Sequence, residues 1–97
     1  MKPNKRVICK DGVSLSVQAD KFAYCTPKEN DAAIYTHVEV GYIFADNRLF
    51  PARTPRGWKK YQDGRGSAVY AYVPAALLLA FIKKHGGMID GELPPLG

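Results

Sequence analysis

The sequence lacks most of the features by which a small protein declares its chemistry. Acidic residues are scarce, with 9 Asp and Glu against 14 Lys and Arg in 97 residues, for a formal net charge of +5. Two cysteines allow one intramolecular bridge at most, so a disulfide framework is excluded. Zinc sites place their ligands in close pairs, and among Cys9, Cys25, His37 and His85 no two lie within four residues of each other. No metal or other cofactor is expected. His37-Val38-Glu39 matches the H-x-E of zinc deaminases, but the P-C-x-x-C that completes such a site is missing.

Long hydrophobic runs are also missing. The longest uncharged apolar stretch, Ala68 to Ile82, has fifteen residues with Pro74 near its middle. A bilayer-spanning helix needs about 20, so no membrane partner is expected. The basic start of the chain is followed by no apolar segment, because Asp11, Gly12, Ser14 and Ser16 interrupt it. A secretory signal is therefore not expected, and the chain is read as cytoplasmic with free, buried thiols. No signature surrounds either cysteine, and no spacing marks two of Asp20, Asp31, Glu39 and Asp46 as an acid–base pair. Gly64-Arg65-Gly66 is too short to cradle a phosphate. The expected activity is binding rather than catalysis.

What is present describes one globular domain over residues 1–97, with 46% apolar residues and 11% aromatics. Val7–Lys10 and Val13–Val17 flank Asp11-Gly12, which predicts a two-residue hairpin placing Ile8 opposite Leu15. Lys21–Cys25 reads as a short strand. Ile34–Phe44 alternates with period two, and Gly41 within it suggests a bulge or a bend before Tyr42-Ile43-Phe44. Asp46-Asn47 reads as a turn, Arg48–Phe50 as a return strand stopped by Pro51, and Ala68–Val73 as another strand. Pro74 opens a helix continuing to Lys84, with Leu77, Leu78, Phe81 and Ile82 as its core stripe, Leu79 off it and Gly86 as its stop. The tail 90–97 is expected to fray. Strands first and one late helix predict an α+β fold: a small antiparallel sheet of four to six strands with one C-terminal helix packed on one face.

Residues 52–67 break the pattern. They form a long loop rich in glycine and basic residues, and loops of this length in compact domains are usually functional or disordered. Arg53, Arg56, Lys59, Lys60 and Arg65 stand against Asp63 alone. Trp58 and Tyr61 are interleaved, offering rings for base stacking while the cations track phosphates. The candidate interface is therefore Arg53, Arg56, Trp58, Lys59, Lys60, Tyr61 and Arg65, facing nucleic acid, a nucleic-acid-handling complex or an acidic protein surface. The competing reading puts Trp58 in the core, leaves the loop charges merely solvated, and assigns contact to the sheet or helix surface, with Leu79 and the aromatic strands as the interface. Exposure of Trp58 separates the two.

Two stretches, Tyr35-Thr36-His37-Val38-Glu39-Val40-Gly41 and Val69-Tyr70-Ala71-Tyr72-Val73-Pro74 with the helix ending in Lys84-His85-Gly86-Gly87, resemble small uncharacterised bacterial proteins carried by phages and mobile elements. The resemblance covers about half the chain. It implies a compact intracellular accessory or inhibitory protein that works by binding, and it assigns no functional residue. The basic loop lies outside it.

Overall fold

The computed structural model describes residues 3–45, 48–50 and 54–97. It is a small α+β fold. Strands β1 (Val7–Cys9), β2 (Ser14–Gln18), β3 (His37–Ala45), β4 (Arg48–Phe50), β5 (Val69–Pro74) and β6 (Met88–Asp90) form one antiparallel sheet. Its order is β4-β3-β2-β1-β6, with β5 also paired to β3. A single helix, α1 (Ala75–Lys84), follows β5 directly. The Asp46-Asn47 turn and the stop at Pro51 lie outside the described residues.

Alternation builds the core. Val13, Leu15 and Val17 on β2 and Val38 and Val40 on β3 are buried, while Ser14, Ser16, Gln18, His37 and Glu39 between them are only half-buried. The buried side chains of the strands join Trp58, Leu78, Phe81 and Ile82 in one cluster. The helix thus seals one face of the sheet with Ala75, Leu78, Phe81 and Ile82, and Leu77 is half-buried beside them. Pro74 is the helix cap rather than its first residue. The helix ends where Gly87 N–H donates to Ile82 O (3.0 Å) and Gly86 N–H to Lys83 O (3.1 Å), a paired closure that glycine after a helix permits.

The hairpin differs from its two-residue expectation by one register step. Cys9 N–H donates to Val13 O (2.7 Å) and Gly12 N–H to Cys9 O (3.0 Å), so Lys10, Asp11 and Gly12 form a three-residue loop. Gly12 takes the left-handed φ (+94°) that this loop requires, and the Asp11 carboxylate accepts from Val13 N–H at 3.0 Å. Val7 then faces Leu15, and Ile8 faces Ser14. A one-residue slip exchanges faces, so Val7 and Cys9 enter the core while Ile8 points away.

Three other expectations change. The segment 21–25 is not a strand, because the Asp20 carboxylate accepts from Phe22 N–H (2.7 Å) and Ala23 N–H (2.8 Å) and turns the chain there. The bulge in β3 falls at Tyr42 rather than Gly41: the pairing shifts between Ser14↔Phe44 and Ser16↔Gly41, and Tyr42 has φ +51°. A second bulge in β5 holds Tyr72 at φ +53°. The tail 90–97 is docked, not frayed. Tyr35 N–H donates to Pro95 O (2.8 Å) and Gly97 N–H to Tyr35 O (3.2 Å), while Pro94 is buried and Leu93 and Leu96 pack against the core. Those backbone bonds outweigh the flexibility that a proline-rich ending suggests.

Candidate functional site

Two surfaces carry the candidate chemistry. The first is the basic loop, of which Arg53 lies outside the described residues. From Thr54 onward it is built from short turns. Trp58 N–H donates to Pro55 O (3.0 Å), and a 3₁₀ turn at Lys59–Tyr61 follows. Gln62 bridges to Tyr70 and its side-chain amide donates to Ser67 O (2.9 Å). Asp63 N–H reaches Val69 O at 2.8 Å.

Trp58 is 1% exposed and packs against Tyr70 (ring centroids 5.4 Å apart, nearly perpendicular) and Phe81 (5.2 Å). This corrects its assignment as a contact residue: its indole is enclosed by the core and offers no face to a base. Tyr61 is half-buried, with the Lys60 ammonium 5.4 Å from its ring centre. Arg56, Lys59, Lys60 and Arg65 are exposed, and none makes an ion pair among the described residues. Trp58 therefore acts as a pin that holds a turn displaying cations. Beneath the loop the Tyr70 side chain is fully buried against Trp58, with the Thr54 side chain within reach of its hydroxyl.

The second surface is the sheet face opposite the helix. The ladder places Glu39 beside Gln18 on β2 and opposite the Ala71–Tyr72 bulge of β5. The irregular segment after Asp20 meets the same edge, with Tyr72 N–H donating to Tyr24 O at 3.0 Å. The Tyr24 and Tyr72 rings lie 6.0 Å apart and are 39% and 43% exposed, and Phe22 is 79% exposed. Further along this face Arg6 stacks on Phe44 (4.9 Å) and donates to Ser14 Oγ, Ser14 O and Tyr42 O. Burial, with Asp20 and Asp63 nearby, pushes the Glu39 carboxyl above its ordinary range, against the smaller favourable effects of the Tyr24 N–H and Lys28.

Among the described residues no group of three metal-ligating side chains assembles. Cys9 and Cys25 are buried and unbonded, and burial raises both thiols. His37 turns its Nδ1 to Thr36 Oγ1 (2.8 Å). His85 pairs with Asp11 at 2.7 Å, a link between the hairpin loop and the helix end that 74 residues of separation concealed. Sequence reasoning offered the sheet surface and its aromatic strands as the alternative interface but did not name Phe22, Tyr24, Tyr72, Glu39 and Arg6 as its members. The only signal for it was tyrosine in strands whose alternate positions were apolar. No helix among the described residues is long and apolar enough to cross a membrane. No family model matches the chain, and no curated protein or solved structure matches it either.

Proposed function

We propose that this is a non-enzymatic binding protein that engages a protein partner through the open face of its sheet, an accessory or inhibitory protein of the phage or mobile-element kind acting in the cytoplasm. The observation that carries the reading is the exposure of Phe22, Tyr24 and Tyr72, with the Tyr24 and Tyr72 rings 6.0 Å apart where the segment after Asp20 meets β5. Tyrosine presents large, rigid contact area at low entropic cost and is enriched among residues that dominate interface energetics. Basic and acidic groups are mixed around these rings (Arg6, Lys21 and Lys28 beside Asp20 and Glu39), which suits a protein surface better than a phosphate backbone.

A second reading keeps nucleic acid, or an acidic protein, on the basic loop. What favours it is the set of four exposed cations, Arg56, Lys59, Lys60 and Arg65, on a turn pinned by Trp58. One experiment separates the two. A photo-crosslinking amino acid is placed at Tyr72 or at Lys60 in the full chain and irradiated in the host cell. A discrete protein adduct at 72, absent at 60 and insensitive to Lys59→Glu with Lys60→Glu, is the expected result. Nuclease-sensitive adducts at 60 with none at 72 overturn the sheet-face reading in favour of the loop.

A further inference from the structure

We propose that the Tyr72–Glu39 corner of the open face receives a cationic side chain, an arginine or lysine carried by the protein partner; this rests on the sheet-face reading above. Three rings of this region hold cations of the protein itself. The Lys21 ammonium lies 5.1 Å from the Phe22 ring centre, Lys28 lies 5.3 Å from that of Tyr24, and Arg6 lies 4.9 Å from that of Phe44. The face of an aromatic ring is negative and attracts a cation within about 6 Å. Tyr72 is 43% exposed and carries no such cation among the described residues. Across the ladder from it stands Glu39, a half-buried carboxylate that has no ion-pair partner among the described residues.

The neighbours sharpen the preference. Asp20 adds a like charge near Glu39, and Lys28, bonded to Ala23 O at 2.7 Å, acts on Glu39 from a distance without pairing with it among the described residues. Gln18 spends its amide on Asn4 and Ser16. Burial already disfavours the ionised form of Glu39, and an incoming cation reverses that penalty. A ring with an open face beside a carboxylate that makes no ion pair among the described residues selects a guanidinium or ammonium, not a phosphate. The corner thus has the opposite preference to the basic loop of the same molecule.

The test is a nuclear magnetic resonance titration of the full isotopically labelled chain with tetra-arginine amide, and with tetraglutamate as control. Saturable shifts centred on Gln18, Glu39 and Tyr72 are expected, with none there from tetraglutamate. Glu39→Gln, isosteric and free of the charge, should weaken binding about tenfold, and Tyr72→Leu should do likewise. Retained dispersion of the spectrum verifies that each variant is folded. Absence of saturable shifts, shifts confined to Asp11 or Asp90, or an unchanged Kd in Glu39→Gln overturns the proposal. A crosslink at position 72 that survives Glu39→Gln, alongside a failed titration, leaves the sheet-face reading standing and removes this one. Tetra-arginine bound at the corner without any crosslink at 72 does the reverse.

Discussion

Replacing Trp58 with alanine is the sharpest trial of the packing described above. The side chain is 1% exposed and touches two other core aromatics, Tyr70 and Phe81, at 5.4 and 5.2 Å. A buried tryptophan withdraws about 200 Å² from water, which at ~25 cal/mol per Å² bounds its contribution near 5 kcal/mol. Truncation of buried aromatics costs about 3–5 kcal/mol, part of it from the void left behind. A domain of this size has about 5–15 kcal/mol in total, so Trp58→Ala should remove about a fifth of the stability or more. Each kcal/mol moves Tm by about 4–8 °C, so a fall of roughly 12–40 °C is expected.

The assay is urea and thermal unfolding followed by far-ultraviolet circular dichroism, because the variant has no tryptophan left to report. Trp58→Phe, which keeps a ring against Tyr70 and Phe81, should recover more than half of the loss. In the natural chain the single tryptophan should emit at short wavelength and resist acrylamide. A loss below ~1 kcal/mol, or an indole freely quenched in the native state, would refute the pinned loop and return Trp58 to the contact surface.

Other consequences follow from single contacts. Gly91→Ala should be strongly destabilising, by roughly 2 kcal/mol or more in thermal unfolding, since its φ is +104° and an added Cβ would lie 2.3 Å from Arg6 O and 2.6 Å from Val7 Cα. At Asp11, burial is the largest single effect and opposes ionisation, but the hydrogen bonds from His85 and Val13 N–H and the charge of His85 together outweigh it and hold the carboxyl below its ordinary range. Its folded pKa is below the unfolded value, so the stabilisation is complete above about pH 4 and is lost as pH falls through the depressed value. The Asp11 side chain is 46% exposed, so screening keeps the effect under ~1 kcal/mol, and urea midpoints of the natural chain and Asp11→Asn should converge as the pH falls through that depressed value. Tyr42→Asn should raise stability by up to ~1 kcal/mol in urea unfolding, because asparagine tolerates the left-handed backbone that tyrosine occupies there at φ +51°.

Period-two patterning made the sheet legible. Val13, Leu15, Val17, Val38 and Val40 all enter the core as their alternation requires. The helix was equally readable, since Pro74 and Gly86 bracket an apolar stripe of the right period. Register was not legible, because Asp-Gly serves both a two-residue turn and a three-residue loop, and one step between them decides whether Val7 or Ile8 faces the core. Trp58 was unreadable for another reason: within a basic, glycine-rich stretch an aromatic serves as a contact or an anchor, and only long-range packing against Phe81 distinguishes the two. The sheet-face site escaped because its members come from four separate segments, at Arg6, Phe22–Tyr24, Glu39 and Tyr72. No spacing along the chain marks residues that only the ladder brings together.

The two bulges bear on why that face has its composition. A non-glycine residue at positive φ carries an energetic penalty of about 1–2 kcal/mol, and tyrosine has no side-chain hydrogen bond to its own backbone that would offset it. Tyr42 and Tyr72 both accept this penalty while remaining 54% and 43% exposed, so burial returns little to either. Tyr72 recovers part through its 6.0 Å contact with Tyr24, whereas Tyr42 has no aromatic neighbour of that kind among the described residues. Folding alone would be served better by glycine or asparagine at both positions. Under the proposed function, strain kept at exposed rings on the sheet face away from the helix is what selection for a contact surface would leave behind. If Tyr72→Asn proves more stable than the natural chain and yet loses the crosslink at a neighbouring position such as Tyr24, the strain is explained by binding. If both asparagine variants are instead destabilised by more than ~1 kcal/mol, the rings are held for packing, and the open face loses its strongest claim to function.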